Sequence, residues 1–371
     1  MLSASLIIAA LLLFCLCGAM GAVTLAEAQE KIDCKAFLEP IHARREPCLA
    51  AHNGTAEVDI CVYFASDYEF LVPFLVHHLA LGARRIFIYN NDDKVHWYQH
   101  PAILCLLAEQ LVEVQPWYGD RALMKGLDHC AKRKIPESMG IRHEEGKMPP
   151  HVWAVNFDID EMLVLHTHTC MAALLEHVDS ASVALNWAFF TPESPMSNFG
   201  RTGNLAIMPK RDYNLHGVVL PHDKLLRRMY ENEHIKTINR VTCVEGWRNE
   251  HCPAFTATCP FSHRPRDPEN RSIACQSWTP WIDNHYPIAQ LNHYWTLSLA
   301  DFLRKIHRGK GGGYSKHEGT SYRNTGEFHA HAKPGRMPFV EDRSLIDRYG
   351  AFYADLKQRC PLCFDTSLYL L

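Results

Sequence analysis

An α/β fold, a doubly wound sheet with helices on both faces, is what the sequence predicts, on three observations. Short runs rich in β-branched and aromatic residues alternate with stretches of helical period over residues 59–165, the rhythm of a largely parallel sheet. In VWAVNFDIDEMLVL, residues 152–165, an apolar strand ends in Asp158, Asp160 and Glu161, and open sheets present their ligand crevice at such carboxyl ends. The chain can also bury a large core, since 47% of its 371 residues are apolar and 11% are aromatic.

Residues 1–23 contain an apolar run from Leu6 to about Val23 without a charged side chain, which reads as a signal peptide or a signal anchor and stays out of the fold. Residues 24–58 read as a polar, cysteine-bearing stem without strong periodicity. DICVYFAS then opens the core as a buried strand. DYEFLVPFLVHHLALGARR has apolar residues at helical spacing, acids in its first turn and Gly82 as a stop signal, with Pro73 marking a kink or a later start. RIFIYNND is a strand running into a polar turn, PAILCLLAEQ a helix and LVEVQPW a strand; VWAVNF and SASVALNWAFF continue the strand series. From Thr191 to about Pro287 the chain reads as irregular, rich in Pro, Cys, Asn and His. AQLNHYW is a further strand, SLADFLRKIHRG an amphipathic helix closed by Gly309, and SLIDRYGAFYADLKQRC a last helix.

Composition narrows the partners. A formal charge of −3 and the absence of a long basic run argue against nucleic acid or an anionic membrane surface, so membrane association falls to the N-terminal segment alone. The 23 histidines are scattered and count only where they converge with carboxylates. Of 14 cysteines, Cys15 and Cys17 lie in the leader, and the even remainder suits a disulfide-bonded chain in the secretory pathway. Cys34 and Cys48 read as a local pair. Cys243, Cys252, Cys259 and Cys275 crowd one stretch whose connectivity spacing does not fix; zinc there, or at Cys360 and Cys363 in CPLC, is the weaker alternative. NGT at Asn53 and NRS at Asn270 are acceptor sequons compatible with a glycosylated lumenal chain.

The acids carry the chemistry. Asp158 and Asp160 fall on the same side of an extended turn because side chains alternate with period two. Like charges that close raise each other's pKa unless something positive compensates. Two such carboxylates suit a hard divalent ion, Mg²⁺ or Mn²⁺, that keeps positions open for phosphate oxygens and neutralises a diphosphate leaving group. The blander reading is a pair of solvated turn acids.

VWAVNFDIDEML resembles the metal-binding strand end of nucleotide-sugar-dependent glycosyltransferases of the GT-A fold, and is most similar to the family 92 type, which has F-x-D-I-D-E-F at this place. LVPFLVHHLALGARRIFIYNND is similar to that family's early block through His78, Leu81, Gly82, Tyr89 and Asn91. LNHYWTLSLADFLRKIHRG resembles its late block through His293, Tyr294, Trp295, Ser298, Phe302, Lys305, Arg308 and Gly309, and LNWAFF and HIKTINR agree more weakly. The resemblance spans about residues 59–310 in the right order, leaving 311–371 as a C-terminal extension.

The resemblance implies a GT-A-type mixed sheet and a metal-dependent glycosyltransferase. Such an enzyme moves a sugar, most often galactose from a UDP-sugar, to a glycan hydroxyl with inversion, in the Golgi lumen or as a secreted protein. It implies a metal held chiefly by Asp160, with Asp158 on the metal or turned toward the donor's ribose or a metal-bound water. His293 is the implied third ligand, against a core histidine as the alternative. Lys305 and Arg308 would steady the diphosphate, or else form a solvated helix face. Glu161 orients the acids or the acceptor, or packs at a cap. The family's K-N-E block near the base reads Ala65, Ser66, Asp67 here, its E-W pair reads Pro73, Phe74, and its Y-D-N reads Tyr89, Asn90, Asn91. Asp67 is therefore the acid retained on the donor side, and base recognition departs from the family pattern. An inverting step needs a general base, for which Glu193 in TPESPMSNFG and Glu245 in CVEGW are the candidates. Two other classes stand beside this one. Phosphohydrolases use a strand-end Asp as nucleophile but place it near the domain start, whereas here much of the core precedes it. The other is a catalytically inactive secreted binding protein on the same fold.

Overall fold

A computed structural model describes residues 32–65, 67–92, 97–118, 122–141, 148–189, 217–218, 234–274, 288–294, 341–342 and 344–364. In chain order the elements are α1 (Cys34–Ala51), β1 (Glu57–Phe64), α2 (Tyr68–Ala80), β2 (Ala83–Asn90), α3 (Pro101–Ala108), β3 (Val112–Pro116) and α4 (Ala122–His129). A π-helical turn, Cys130–Lys134, carries α4 into α5 (Ile135–Ser138). Then come β4 (Val152–Val155), β5 (Glu161–Leu165), α6 (Met171–Leu175), β6 (Ser182–Phe189), β7 (Gly217–Val218), β8 (Ile235–Arg240), β9 (Val244–Trp247), β10 (Pro253–Phe255), β11 (Ala289–His293), β12 (Glu341–Asp342) and α7 (Ser344–Arg359).

Eight strands form one mixed sheet in the order β3-β2-β1-β4-β8-β6-β11-β5. The first four are parallel, β8 runs against both β4 and β6, β11 is parallel to β6, and β5 is antiparallel to β11. Residues 156–160 join β4 to β5, which stands four places away in that order, so the sheet curls to bring the two together.

Period two decides which helix covers which face. Ile60, Val62, Phe64, Ile86, Ile88, Trp153 and Val155 point into the main core with α1, α2, α3 and α7, whereas Cys61, Phe87, Tyr89, Val152 and Ala154 point into a second cluster with Leu127 and Cys130 of the α4 segment. Helices thus lie on both faces, as the rhythm of the sequence predicts. Pro73 sits inside α2, which begins at Tyr68, so proline does not delay the start. Gly82 closes the helix at φ +90°, and a Cβ there would meet Cys48 Sγ at 2.6 Å, which excludes any larger residue.

Three expectations change. The stretch expected as a stem holds α1, an 18-residue helix whose Phe37, Leu38 and Ile41 lie in the main core; its period is blurred by Pro40, Pro47 and a weakly segregated apolar face. Cys34 and Cys48 do not pair with each other. Cys34 bonds Cys105 of α3 and Cys48 bonds Cys170, tying α1 to the domain at both ends. The C-terminal extension contributes α7, whose Leu345, Tyr349, Phe352, Tyr353 and Leu356 belong to the same core. Further disulfides join Cys61 to Cys130, Cys243 to Cys259 and Cys360 to Cys363, and Cys252 is also oxidised, which removes the zinc alternative at these thiols. These disulfides mark a chain that folds in an oxidising compartment. Both sequon asparagines, Asn53 and Asn270, are exposed. Among the described residues no helix is long and apolar enough to cross a membrane, and the leader lies outside them.

Among the described residues the outer edge of β5 is closed by side chains rather than by another strand. His77 Nε2–H donates to the Leu163 carbonyl at 2.7 Å while its Nδ1 accepts from Tyr353 Oη–H at 2.5 Å. His78 Nδ1–H donates to the Phe74 carbonyl at 2.9 Å and its Nε2 receives the Leu163 N–H at 3.4 Å. Tyr349 Oη receives the Leu165 N–H at 3.3 Å. Both histidines are buried, and burial pushes His77 down to about 4 and His78 well below the ordinary 6.5, so both are neutral in the fold.

Candidate functional site

The turn between β4 and β5 is fastened by its own acids. Asp158 N–H donates to Glu161 Oε2 at 2.8 Å, and Glu161 N–H donates back to the Asp158 carbonyl at 3.0 Å. Tyr294 N–H donates to the Asp160 carbonyl at 2.9 Å, which fixes the turn to the end of β11. The antiparallel register sets His293 opposite Glu161 and brings its Nε2 to 3.6 Å from Asp160 Oδ1. Trp187, from the end of β6, packs on the His293 ring at 4.1 Å between centroids and stacks on His234 at 4.9 Å.

A positive charge is present at the acids, and the chain itself supplies it. Lys236, the second residue of β8, is wholly buried and its Nζ lies 3.0 Å from Asp158 Oδ2 and 3.9 Å from Glu161 Oε1. Burial opposes the ammonium, but Asp158, Glu161 and Glu250 outweigh it and raise its pKa above the ordinary lysine value. For Asp158 burial favours the neutral form, yet Lys236 prevails and the pKa falls below the usual carboxylate value. Glu161 goes the other way. Its side chain is wholly enclosed, and burial, with the charges on Asp158 and Asp160, drives it well above the glutamate range despite Lys236. Glu161 Oε1 has no hydrogen-bond partner among the described residues. Lys236 therefore cancels Asp158, and Asp160 is left facing His293.

The adjoining strand ends complete a polar rim. Asp67 is buried at the start of α2, beyond the carboxyl end of β1, the strand next to β4. At the end of β2, Asn90 Oδ1 receives Asp92 N–H at 2.9 Å and Trp97 Nε1–H at 3.2 Å, and Tyr68 Oη bonds Asp92. On the β8 side, His251 Nδ1–H donates to the Ile235 carbonyl at 2.6 Å, and its Nε2 lies 3.6 Å from Glu250 Oε1. Burial and the charge of Lys236 hold His251 at about 4. Asn156 Nδ2–H donates to the Glu250 carbonyl at 3.0 Å, so Glu250 is tethered to the same loop, and its side chain is 47% exposed.

Of the residues singled out from the sequence, Asp158, Asp160, Glu161 and His293 come together, and Asp67 stands at the neighbouring strand end. Glu245 does not join them. It is exposed on β9, makes no hydrogen bond or ion pair with the strand-end acids, and its neighbour Gly246 faces Asp128 of α4. Glu193, Lys305 and Arg308 lie outside the described residues. Lys236, Glu250 and His251 were missed. Lys236 had a signal: a lone cation in IKTIN, a run otherwise suited to a buried strand, calls for a buried acid.

The donor set fits a hard-to-borderline divalent ion in part. Among the described residues no group of three or more His, Cys, Asp or Glu side chains converges as a metal site. Asp160 and His293 offer one carboxylate and one imidazole, a number that suits ions completing their shell with phosphate oxygens and water, and the imidazole favours Mn²⁺ over Mg²⁺. Compared with models of known protein families and with curated proteins, the chain matches none.

Proposed function

We propose that the protein is a metal-dependent glycosyltransferase of the secretory pathway, acting in the Golgi lumen or after secretion. It would move a sugar, galactose by the sequence resemblance, from a UDP-sugar to a glycan hydroxyl with inversion. The observation that carries this reading is the meeting of Asp160, at the end of a parallel half-sheet, with His293, from a strand far away in sequence, at 3.6 Å. Sheets of this type open their crevice there.

The residues would divide the work. Asp160 and His293 would hold Mn²⁺, which when bound neutralises charge on the diphosphate leaving group. Asp158, fixed by Lys236 and by Glu161, presents a partly exposed carboxylate to the donor's hydroxyls. Glu250 replaces Glu245 as the candidate base, because it is exposed and tied to the β4 loop through Asn156. Lys305 and Arg308 remain the candidates for the diphosphate, and Asp67 for the nucleoside.

One observation favours a second reading, a catalytically inactive binding protein on this fold: Lys236 already occupies the place of a cation beside Asp158. The test is release of UDP when the purified protein is incubated with Mn²⁺ and a panel of UDP-sugars. Release with one donor, abolished by EDTA, supports the transferase. No release, together with no heat of donor binding, overturns it.

A further inference from the structure

Lys236 is more than a filler near the start of β8. Its strand is paired on both sides, Ile238 to Arg240 with β4 and Lys236 itself with Leu185 of β6, so the strand that carries it is held in place. The ammonium lies between one acid that touches solvent, Asp158 at 39% exposure, and one that does not, Glu161 at 0%. A buried lysine is stable only against acids, and a solvent-facing carboxylate that already has a counter-ion at 3.0 Å attracts a second cation far less. Asp160, two residues on from Asp158, points to the other partner, His293.

Resting on the glycosyltransferase reading above, we propose that Lys236 is the resident cation of the strand-end turn. It is a positioning residue that holds Asp158 out of the metal's coordination shell and leaves Asp160 and His293 to meet a single divalent ion. A purely structural lysine and this one differ in the sign of a measurable effect. Loss of a structural lysine loosens the turn and weakens metal binding. Loss of a competing cation releases Asp158 to the metal and tightens it.

The experiment is a calorimetric titration of Mn²⁺ into the full chain without donor, for the native protein, Lys236→Met and Lys236→Arg, with thermal melts to establish folding. Lys236→Met is expected to bind Mn²⁺ about tenfold tighter or more, while Lys236→Arg stays near the native affinity. Unchanged or weaker binding by Lys236→Met overturns the proposal and leaves the transferase reading standing. Binding by Lys236→Met but not by the native chain upholds Lys236 as the resident cation and overturns the metal-dependent reading; binding by neither overturns both. Where Lys236→Met gives too little folded protein, Asp158→Asn is compared with Asp158→Asn/Lys236→Met, in which no charged Asp158 is left without its lysine. Because the Asn side chain at 158 offers the metal no carboxylate to release, equal Mn²⁺ binding by the two is the expected result, and weaker binding by the double variant, the mark of a structural lysine, or clearly tighter binding is the refuting one.

Discussion

Strands β3, β2, β1 and β4 and strands β8, β6, β11 and β5 meet along a single boundary, yet the two half-sheets are put together differently. In the first, β1, β2 and β3 follow one another in the chain, with α2 and α3 between them, and every pairing is parallel. In the second, the spatial neighbours are far apart in sequence, and β5 reaches the outer edge from β4 by a turn of five residues. Their chemistry differs in the same way. The first half brings acids to the carboxyl edge, Asp67 and Asp158, while the second brings Lys236, His251 and His293. The site exists only where the halves abut, because an acid edge alone repels itself and a basic edge alone has nothing to hold.

Tests of this contrast run from the boundary outward. Asp160→Asn removes the acid that faces His293, and UDP release is expected to fall by about 10³-fold or more with the melting temperature nearly unchanged. Retained turnover would show that the boundary is not the active edge. Cutting the disulfide between α1 and the segment before α6, as Cys48→Ser/Cys170→Ser, is expected to cost about 4 kcal/mol in denaturant unfolding, since it closes a loop of 122 residues that the Cys34–Cys105 bond restrains only in part. A change confined to a few tenths would mean that α1 docks without its covalent tie.

Next in size is an effect of pH on the outer edge of the second half. His77 has a native pKa of about 4 against an ordinary 6.5, so between those values the unfolded chain binds one more proton there than the native chain does. Its contribution is present above pH 6.5 and is lost as pH falls toward 4. His77→Gln is therefore expected to flatten the slope of stability against pH in that window by about 1.4 kcal/mol per unit, read from urea melts across the range. An unaltered slope would show that His77 is protonated in the fold. Smallest is Asp67→Asn on the first half, for which a loss of about 1 kcal/mol, seen in the donor's KM with kcat preserved, is expected. A fall in kcat instead would place Asp67 nearer the chemistry than the nucleoside.

The first half was legible because its signals are local. ICVYF and RIFIYN announce strands by β-branched and aromatic content, Gly82 stops α2 where a left-handed residue is required, and Pro101 starts α3 at a position where no N–H is missed. β8, β9 and β10 were not legible: they lie in the stretch read as irregular, where Lys236, Arg240 and the Asn and Thr residues of IKTINR hide a strand that is buried throughout. Such a strand keeps polar residues because partners bond them. Asn239 Nδ2–H donates to Thr237 Oγ1 at 3.1 Å, Thr237 Oγ1–H donates to the His251 carbonyl at 2.8 Å, and Arg240 lies over the Trp153 and Phe261 rings. α1 escaped for the opposite reason, having too little segregation of apolar residues to betray a face. Glu245 in CVEGW carries no sequence signal that separates it from Glu250, five residues on, and only the bond from Asn156 to the Glu250 carbonyl ties the latter to the strand-end loop.

Residue order alone settled that Asp158 and Asp160 would stand just past the end of a buried strand, because the burial of VWAV carries the chain to that edge; the expected extended alternation gives way to a turn closed from Glu161 N–H to the Asp158 carbonyl, which sends the two acids to different partners. Which charge answers each acid was settled by folding. Lys236 and His293 lie on strands that reach the turn only once the sheet has curled, and electrostatic pairing depends on distances across space that spacing along the chain does not encode.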